Sequence, residues 1–151
     1  DLHVFYENWT GERNLRFLAQ FYPKWSNEIV ADLVRRFNLP LQKKAKELSS
    51  GNRVKLALIA ALAHAPSLLV LDEPTSGLDP VGARAFDRLV RVLCDSLGLT
   101  VFIVTHDLDT LLSVIDRAIV LASGKVIADG PVEQVRRADD SWIRDYFAAR
   151  A

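Results

Sequence analysis

Leu68-Leu69-Val70-Leu71-Asp72-Glu73-Pro74 sets two adjacent carboxylates and a proline at the end of a short apolar run. A run of Leu and Val of that length predicts a fully buried strand, and two acids at its end are costly to bury unpaired. They are tolerated where a strand empties into a site that holds a cation and water. Asp72 can hold Mg²⁺ there through oxygen or water ligands, and Glu73 can orient or deprotonate an attacking water. Such chemistry suits the C-terminal edge of a parallel sheet that binds a nucleoside triphosphate. The plainer alternative is a strand followed by an acidic turn, with Pro74 ending regular pairing. Three neighbours weigh on the choice: Ser49-Ser50-Gly51-Asn52 upstream, Ser76-Gly77-Leu78-Asp79 just after, and Thr105-His106-Asp107 behind the next apolar run.

Alternating helices and strands must hold these groups. Thr10 can cap a helix with Leu15, Leu18 and Ala19 on one face, closed by Pro23; Ser26 can cap a second, with Ile29, Leu33, Val34 and Phe37 at helical spacing. The basic connector Lys43-Lys44-Ala45-Lys46 reads as a solvated face. Ser49 to Asn52 opens a third helix, Arg53 to about Ala65, and Leu68 to Leu71 is the first buried strand. Asp79-Pro80 is an N-cap followed by proline at the first helical position, and the helix runs to Leu97 with Gly98 as its C-cap. Thr100 to Val104 is the second buried strand, and Leu108 to Ile115 is a helix. Ala118–Leu121 and Lys125–Ala128 flank Ser123-Gly124 as a hairpin, and Val132–Arg137 and Trp142–Phe147 are short helices. Helices first, then strands alternating with helices, predict a helical subdomain near residues 9–65 attached to an α/β core.

Bulk properties bound the function. The 151 residues suit one domain, and 50% of them are hydrophobic, enough for a sizeable core. Lys+Arg and Asp+Glu both total 19, which argues against bulk nucleic-acid binding. The single Cys94 excludes an intramolecular disulfide and fits a reducing compartment. The opening Asp1-Leu2-His3 shows no leader pattern, and the longest apolar stretch, Leu56 to Ala63, is far below the roughly 18 residues of a membrane span.

Taken in order and spacing, the motifs resemble those of the ATP-binding subunits of ABC transporters. Leu48-Ser49-Ser50-Gly51-Asn52 looks like the family's LSGGQ signature, and Leu68 to Glu73 like Walker B with its catalytic glutamate. Ser76-Gly77-Leu78-Asp79 looks like the D-loop, and His106 like the switch histidine. The match is almost continuous from Leu48 to Gly130, with Asp116-Arg117 and Gly124-Lys125 included. The resemblance implies an α/β fold: a partial P-loop NTPase-type parallel-sheet core with a helical signature subdomain. The core would occupy residues 66–130 and C-terminal helices residues 131–151. It further implies ATP and Mg²⁺ as cofactors, with Asp72 in the Mg²⁺ shell and Glu73 polarising water. His106 would contact the γ-phosphate, and Asp79 would sit at a dimer interface. Ser49, Ser50, Gly51 and Asn52 would act in trans on nucleotide held by a second nucleotide-binding subunit, in a homodimer. A hydroxylated, glycine-containing turn at a helix start is chemically an anion site, which agrees with that role. Ser50 stands where the family has a second glycine, and Asn52 where it has glutamine.

No G-x-x-x-x-G-K-[ST] occurs. The chain opens in mid-pattern and contains no methionine, so it reads as a C-terminal portion, inactive alone, with the phosphate loop, adenine-stacking aromatic and glutamine loop falling before Asp1. Missing central strands would leave apolar surface exposed. Tyr6 to Thr10, Asn14 to Phe17 and Phe21 to Trp25 look like ATPases of exporters with separate membrane subunits. The tail, Val104 through Gly130-Pro131 to Trp142–Phe147, looks like bacterial lipid-transport ATPases. The longer tail match favours lipid or another hydrophobic cargo over an ABC-2-type drug or peptide exporter. Transmembrane permease subunits are the expected partners, at the cytoplasmic face of the inner membrane. The aromatics Phe5, Tyr6, Trp9, Phe17, Phe21, Tyr22 and Trp25 are either core packing or a groove for a permease helix. A soluble ABC ATPase acting on DNA or ribosomes is the remaining alternative, disfavoured by neutral charge and the lack of long insertions.

Overall fold

The computed structural model describes residues 5–148. The opening Asp1-Leu2-His3 and the last residues of the segment 131–151 lie outside the described residues. Helix α1 (Gly11–Leu18) starts where the Thr10 side chain accepts the Arg13 N–H, and it tightens into a 3₁₀ turn over Ala19–Phe21. Helix α2 (Asn27–Phe37) is capped by Ser26, whose hydroxyl accepts the Ile29 N–H at 3.3 Å, and ends on left-handed Asn38. The side chain of Asn14, buried on α1, bonds to the Tyr6 N–H and to the carbonyls of Tyr6, Trp9 and Thr10. It thereby fixes the turn ahead of α1, a role invisible in helical periodicity.

Helix α3 spans Ser50–Leu62, where sequence reasoning starts it at Arg53 and carries it to Ala65. The earlier start follows from Ser49, whose hydroxyl accepts the Asn52 N–H at 3.3 Å and so makes Ser50-Gly51-Asn52 the first helical turn. The earlier end follows from Ala65, which turns to φ 51° ahead of Pro66.

Strands β1 (Leu68–Asp72) and β2 (Thr100–Val104) pair in parallel, Leu68 opposite Thr100 and Asp72 opposite Val104. Helix α4 (Pro80–Leu97) makes the crossover between them and ends on left-handed Gly98, as expected. The strands are not buried on both faces. Leu69, Phe86, Val90, Leu93 and Leu99 share one core, whereas Leu68, Val70, Phe102 and Val104 remain 52%, 60%, 50% and 48% exposed. The continuous apolar run therefore corrects to a one-sided burial: side chains alternate across the sheet, and among the described residues helices cover only one face.

Helix α5 (Leu108–Ser113) stops short of Ile115, because the backbone leaves helical geometry at Val114, with φ −119°. Strands β3 (Arg117–Ala122) and β4 (Lys125–Pro131) form the antiparallel hairpin. Ser123 at φ 50° and Gly124 at φ 72° give it the double left-handed turn that matches strand twist. Helices α6 (Val132–Val135) and α7 (Ser141–Ala148) follow. One apolar cluster runs from Leu15, Leu33 and Phe37 through fully buried Leu56 and Ile59 to β1 and α4; a smaller one joins Ala118, Val132 and Val135 to Phe147.

Candidate functional site

Strand pairing sets the acid pair. Asp72 is the last residue of β1, on its exposed side, and the Glu73 N–H still reaches the Val104 carbonyl at 2.8 Å. Glu73 itself turns to φ 44°, a left-handed conformation uncommon and strained for a residue with a side chain. This turn swings its carboxylate across to the end of β2. Glu73 Oε1 lies 2.7 Å from His106 Nδ1, and Oε2 accepts the Thr105 hydroxyl at 3.4 Å. Thr105 Oγ1 in turn accepts the Asp107 N–H at 3.1 Å, and Asp107 caps α5 through the Asp109 N–H. Two residues singled out separately in the sequence thus form one dyad, with the His106 side chain 85% exposed. The contact engages Nδ1 and leaves Nε2 as the other ring nitrogen for a further partner. Thr105 is a member that sequence reasoning quoted without assigning it a role.

A second group lies apart from this dyad. Ser49, Ser50, Gly51 and Asn52 line one side of a cavity of about 370 Å³, with Gly77 and Asp79 opposite; Asp72, Glu73 and His106 do not line it. Ser50 is helical, so its replacement of glycine carries no left-handed strain. A Cβ added at Gly51 would meet nothing within 4 Å, so that side of the turn is open. The Ser49 hydroxyl accepts the Asn52 N–H, with its own proton still available to donate. The Ser50 and Gly51 N–H groups belong to the first turn of a 13-residue helix, where helix geometry supplies no internal partner. The arrangement can receive an anion.

Asp79 Oδ1 accepts the N–H groups of Val81 and Gly82, both at 2.9 Å. The Gly82 N–H foremost, then that of Val81, hold its carboxyl below the usual range. Downstream on α4, Asp87 is 5% exposed and receives the hydroxyls of Thr110 (3.1 Å) and Ser113 (3.2 Å) from α5. Burial pushes its carboxyl up, against the two hydroxyl bonds. Helix α4 is thereby tied to α5, the helix that follows His106.

Among the described residues no three His, Cys, Asp or Glu side chains converge as a metal cage. Asp72 alone, an exposed carboxylate at a strand end, suits a Mg²⁺ that keeps most of its waters and takes phosphate oxygens.

A parallel strand pair linked through a helix, with an acid pair at its C-terminal edge and a helical layer before it, defines a fold of the P-loop NTPase α/β class. The family model described as "AAA domain, putative AbiEii toxin, Type IV TA system" matches residues 11–113. An ABC transporter ATP-binding protein of Bacillus subtilis (strain 168), YdbJ, is 35% identical over 127 residues, 83% of this chain and 41% of that protein. The bacitracin transport ATP-binding protein BcrA of Bacillus licheniformis is 28% identical over 141 residues, 92% of this chain and 46% of that protein. The solved structure of cbiO1 from Clostridium perfringens, part of the ABC transporter complex cbiONQ, superposes with a TM-score of 0.76 at 25% identity, covering 99% of this chain and 63% of that one. The chain belongs to this AAA-domain family, and the relatives it matches over most of its length are ATP-binding proteins of ABC transporters. It spans less than half the length of the curated relatives it matches.

Proposed function

We propose that the full-length protein hydrolyses ATP at a composite site shared by two nucleotide-binding subunits and so energises an ABC transporter. The observation that carries this reading is the Glu73–His106 contact of 2.7 Å at the end of β1. Glu73 acts as the general base that polarises the attacking water, with His106 Nε2 directed at the γ-phosphate. Asp72 would hold Mg²⁺, which would supply charge neutralisation at the phosphoryl group when bound. Ser49, Ser50, Gly51 and Asn52 close on the γ-phosphate bound by the partner subunit, and Asp79 faces that subunit. Separation of the signature cavity from the dyad supports the trans assignment, since one subunit's signature then serves the other's nucleotide. The corresponding layout is a helical signature subdomain at 9–65, a catalytic core at 66–130 and C-terminal helices at 131–151.

The partners proposed are a second copy and transmembrane permease subunits at the cytoplasmic face of the membrane. Among the described residues no helix is long and apolar enough to cross a membrane. Phe5 packs into the core, but Tyr6, Phe21 and Tyr22 stay exposed, and Phe17 meets Tyr6 and Trp9 edge-on at 5.5 Å between ring centroids while Tyr6 and Trp9 lie tilted at 4.2 Å. This partly exposed aromatic group favours a docking role for a permease helix. Trp9→Ala with Tyr22→Ala is expected to weaken co-purification with the permease while leaving the fold intact; undiminished association would remove that role. Lipid or another hydrophobic compound is the proposed cargo, on the tail residues 104–147. A second reading, drug or peptide export, is favoured by the similarity to the bacitracin transport protein along 92% of the chain.

The decisive experiment is Glu73→Gln in the full-length protein. ATP-dependent dimerisation is expected to persist while turnover falls by roughly 10²- to 10⁴-fold, the range for a lost general base. Wild-type turnover in that variant would remove Glu73 from the mechanism.

A further inference from the structure

Helix α7 lies about forty residues beyond the dyad in sequence and yet reaches it. The Tyr146 hydroxyl donates to the His106 carbonyl at 2.7 Å. The contact is braced from behind: Ile143 is fully buried, Phe147 packs against the cluster of Ala118, Val132 and Val135, and Trp142 stacks on the Tyr146 ring at 5.1 Å with 9° between planes. Asp140 Oδ1 accepts the Ile143 N–H at 3.1 Å and secures the start of the helix.

Beside the Tyr146 bond, the hydrogen bonds around His106 are those to Thr105 and Glu73. The His106 side chain is 85% exposed and, within the dyad, meets only Glu73. The peptide between His106 and Asp107 is held at both ends: its N–H, from Asp107, is donated to the Thr105 hydroxyl at 3.1 Å, and its carbonyl, from His106, accepts the Tyr146 hydroxyl at 2.7 Å. Rotation of that peptide would swing the imidazole off the Glu73 carboxylate. Burial foremost, and then the nearby charges of Asp107 and Glu73, push the Tyr146 phenol above its usual pKa, so it stays protonated and able to donate at physiological pH.

We infer that Tyr146 is a positioning residue for hydrolysis: from α7 it clamps the His106 carbonyl and thereby aims the imidazole whose Nδ1 meets Glu73. This rests on the proposed ATPase reading and adds to it a residue outside every motif of the site. It also makes the seat of α7, through Ile143 and Phe147, a determinant of turnover.

The test uses full-length protein, with Tyr146→Phe, Tyr146→Leu, His106→Ala, the double variant Tyr146→Phe/His106→Ala, and Glu73→Gln as a control. Rates are normalised to nucleotide-binding sites titrated with a fluorescent ATP analogue, so loss of folded protein does not register as loss of rate. Tyr146→Phe keeps the ring stack and removes only the donor. It is expected to lower kcat roughly 3- to 10-fold, the effect of one ordinary net hydrogen bond, with KM for ATP unchanged. In single-turnover measurements the same substitution is expected to have no further effect once His106 is Ala. Wild-type kcat in Tyr146→Phe, an effect seen in KM alone, or an equal loss in the His106→Ala background would each overturn the inference. If Glu73→Gln retains turnover, the ATPase reading fails first; if Glu73→Gln is inactive and Tyr146→Phe is unimpaired, only the role of Tyr146 fails.

Discussion

A buried carboxylate bonded only by hydroxyls is in an unfavourable place for a charge, and Asp87 occupies that place. Two hydroxyl donors, Thr110 and Ser113, satisfy its oxygens but bring no opposite charge. Its folded pKa is raised by burial, so the sign of its pH linkage is set. The contribution of Asp87 to stability is fully present below the ordinary Asp pKa and is lost as pH rises through the elevated folded value. Asp87→Asn keeps an acceptor for one hydroxyl and a donor for the other. It is expected to match the parent's melting temperature in acid and exceed it at neutral pH. Asp87→Ala leaves the fully buried Thr110 hydroxyl without that acceptor and is expected to destabilise by about 1–3 kcal/mol, measured by denaturant unfolding. At the same scale, Glu73 was legible as a carboxylate at a strand end, but its left-handed backbone was not. Nothing in Leu71-Asp72-Glu73-Pro74 distinguishes a strained turn from an ordinary one; the Val104 carbonyl and His106 impose it from 31 and 33 residues away.

Helix α4 shows how well a single element can be read when its ends carry their own chemistry. Asp79 and Pro80 begin it, Gly98 at φ 60° ends it, and both ends fall where those residue types predict. The cap also has a pH signature. Backbone N–H groups hold the Asp79 carboxyl low, so its contribution is present above the ordinary Asp pKa and is lost as pH falls through the depressed folded value. Asp79→Ala is expected to lower thermal stability at neutral pH and to flatten the stability curve in that acid window. Asp79→Asn retains the capping oxygen and is expected to melt near the parent. A fall in ATP-dependent dimerisation in Asp79→Asn alone would assign the charge to the proposed subunit interface. Helix α3 was harder to place: Ser49-Ser50-Gly51 reads equally as a loop or as a first turn, and the Ser49 cap decides it. The terminal helices α6 and α7 differ by a few residues from expectation because short helices are held by packing more than by propensity.

For the molecule as a whole, the distribution of phosphate-binding groups matters more than their number. An open helix N-terminus and an acid–histidine dyad are present, but no glycine-rich loop with a lysine occurs to cradle the β- and γ-phosphates. The 151-residue chain by itself is therefore expected to bind ATP no tighter than the millimolar range in titration calorimetry; low-micromolar affinity would contradict the trans role given to Ser49–Asn52. Apolar periodicity, caps and turn residues were enough to read the order of helices and strands and the hairpin, because each is decided by neighbours within a few residues; the parallel pair followed from that strand–helix–strand order. The acid pair, the signature turn and His106 were legible as chemistry for the same reason: their residue types and spacing are local. Contacts made across the fold decided the rest. They exposed one face of β1 and β2 despite a uniformly apolar run, joined Glu73 to His106, tied α4 to α5 through Asp87, and brought Tyr146 onto the His106 carbonyl. Burial and partner choice depend on which surfaces meet when distant segments pack, and a linear pattern carries no record of that geometry.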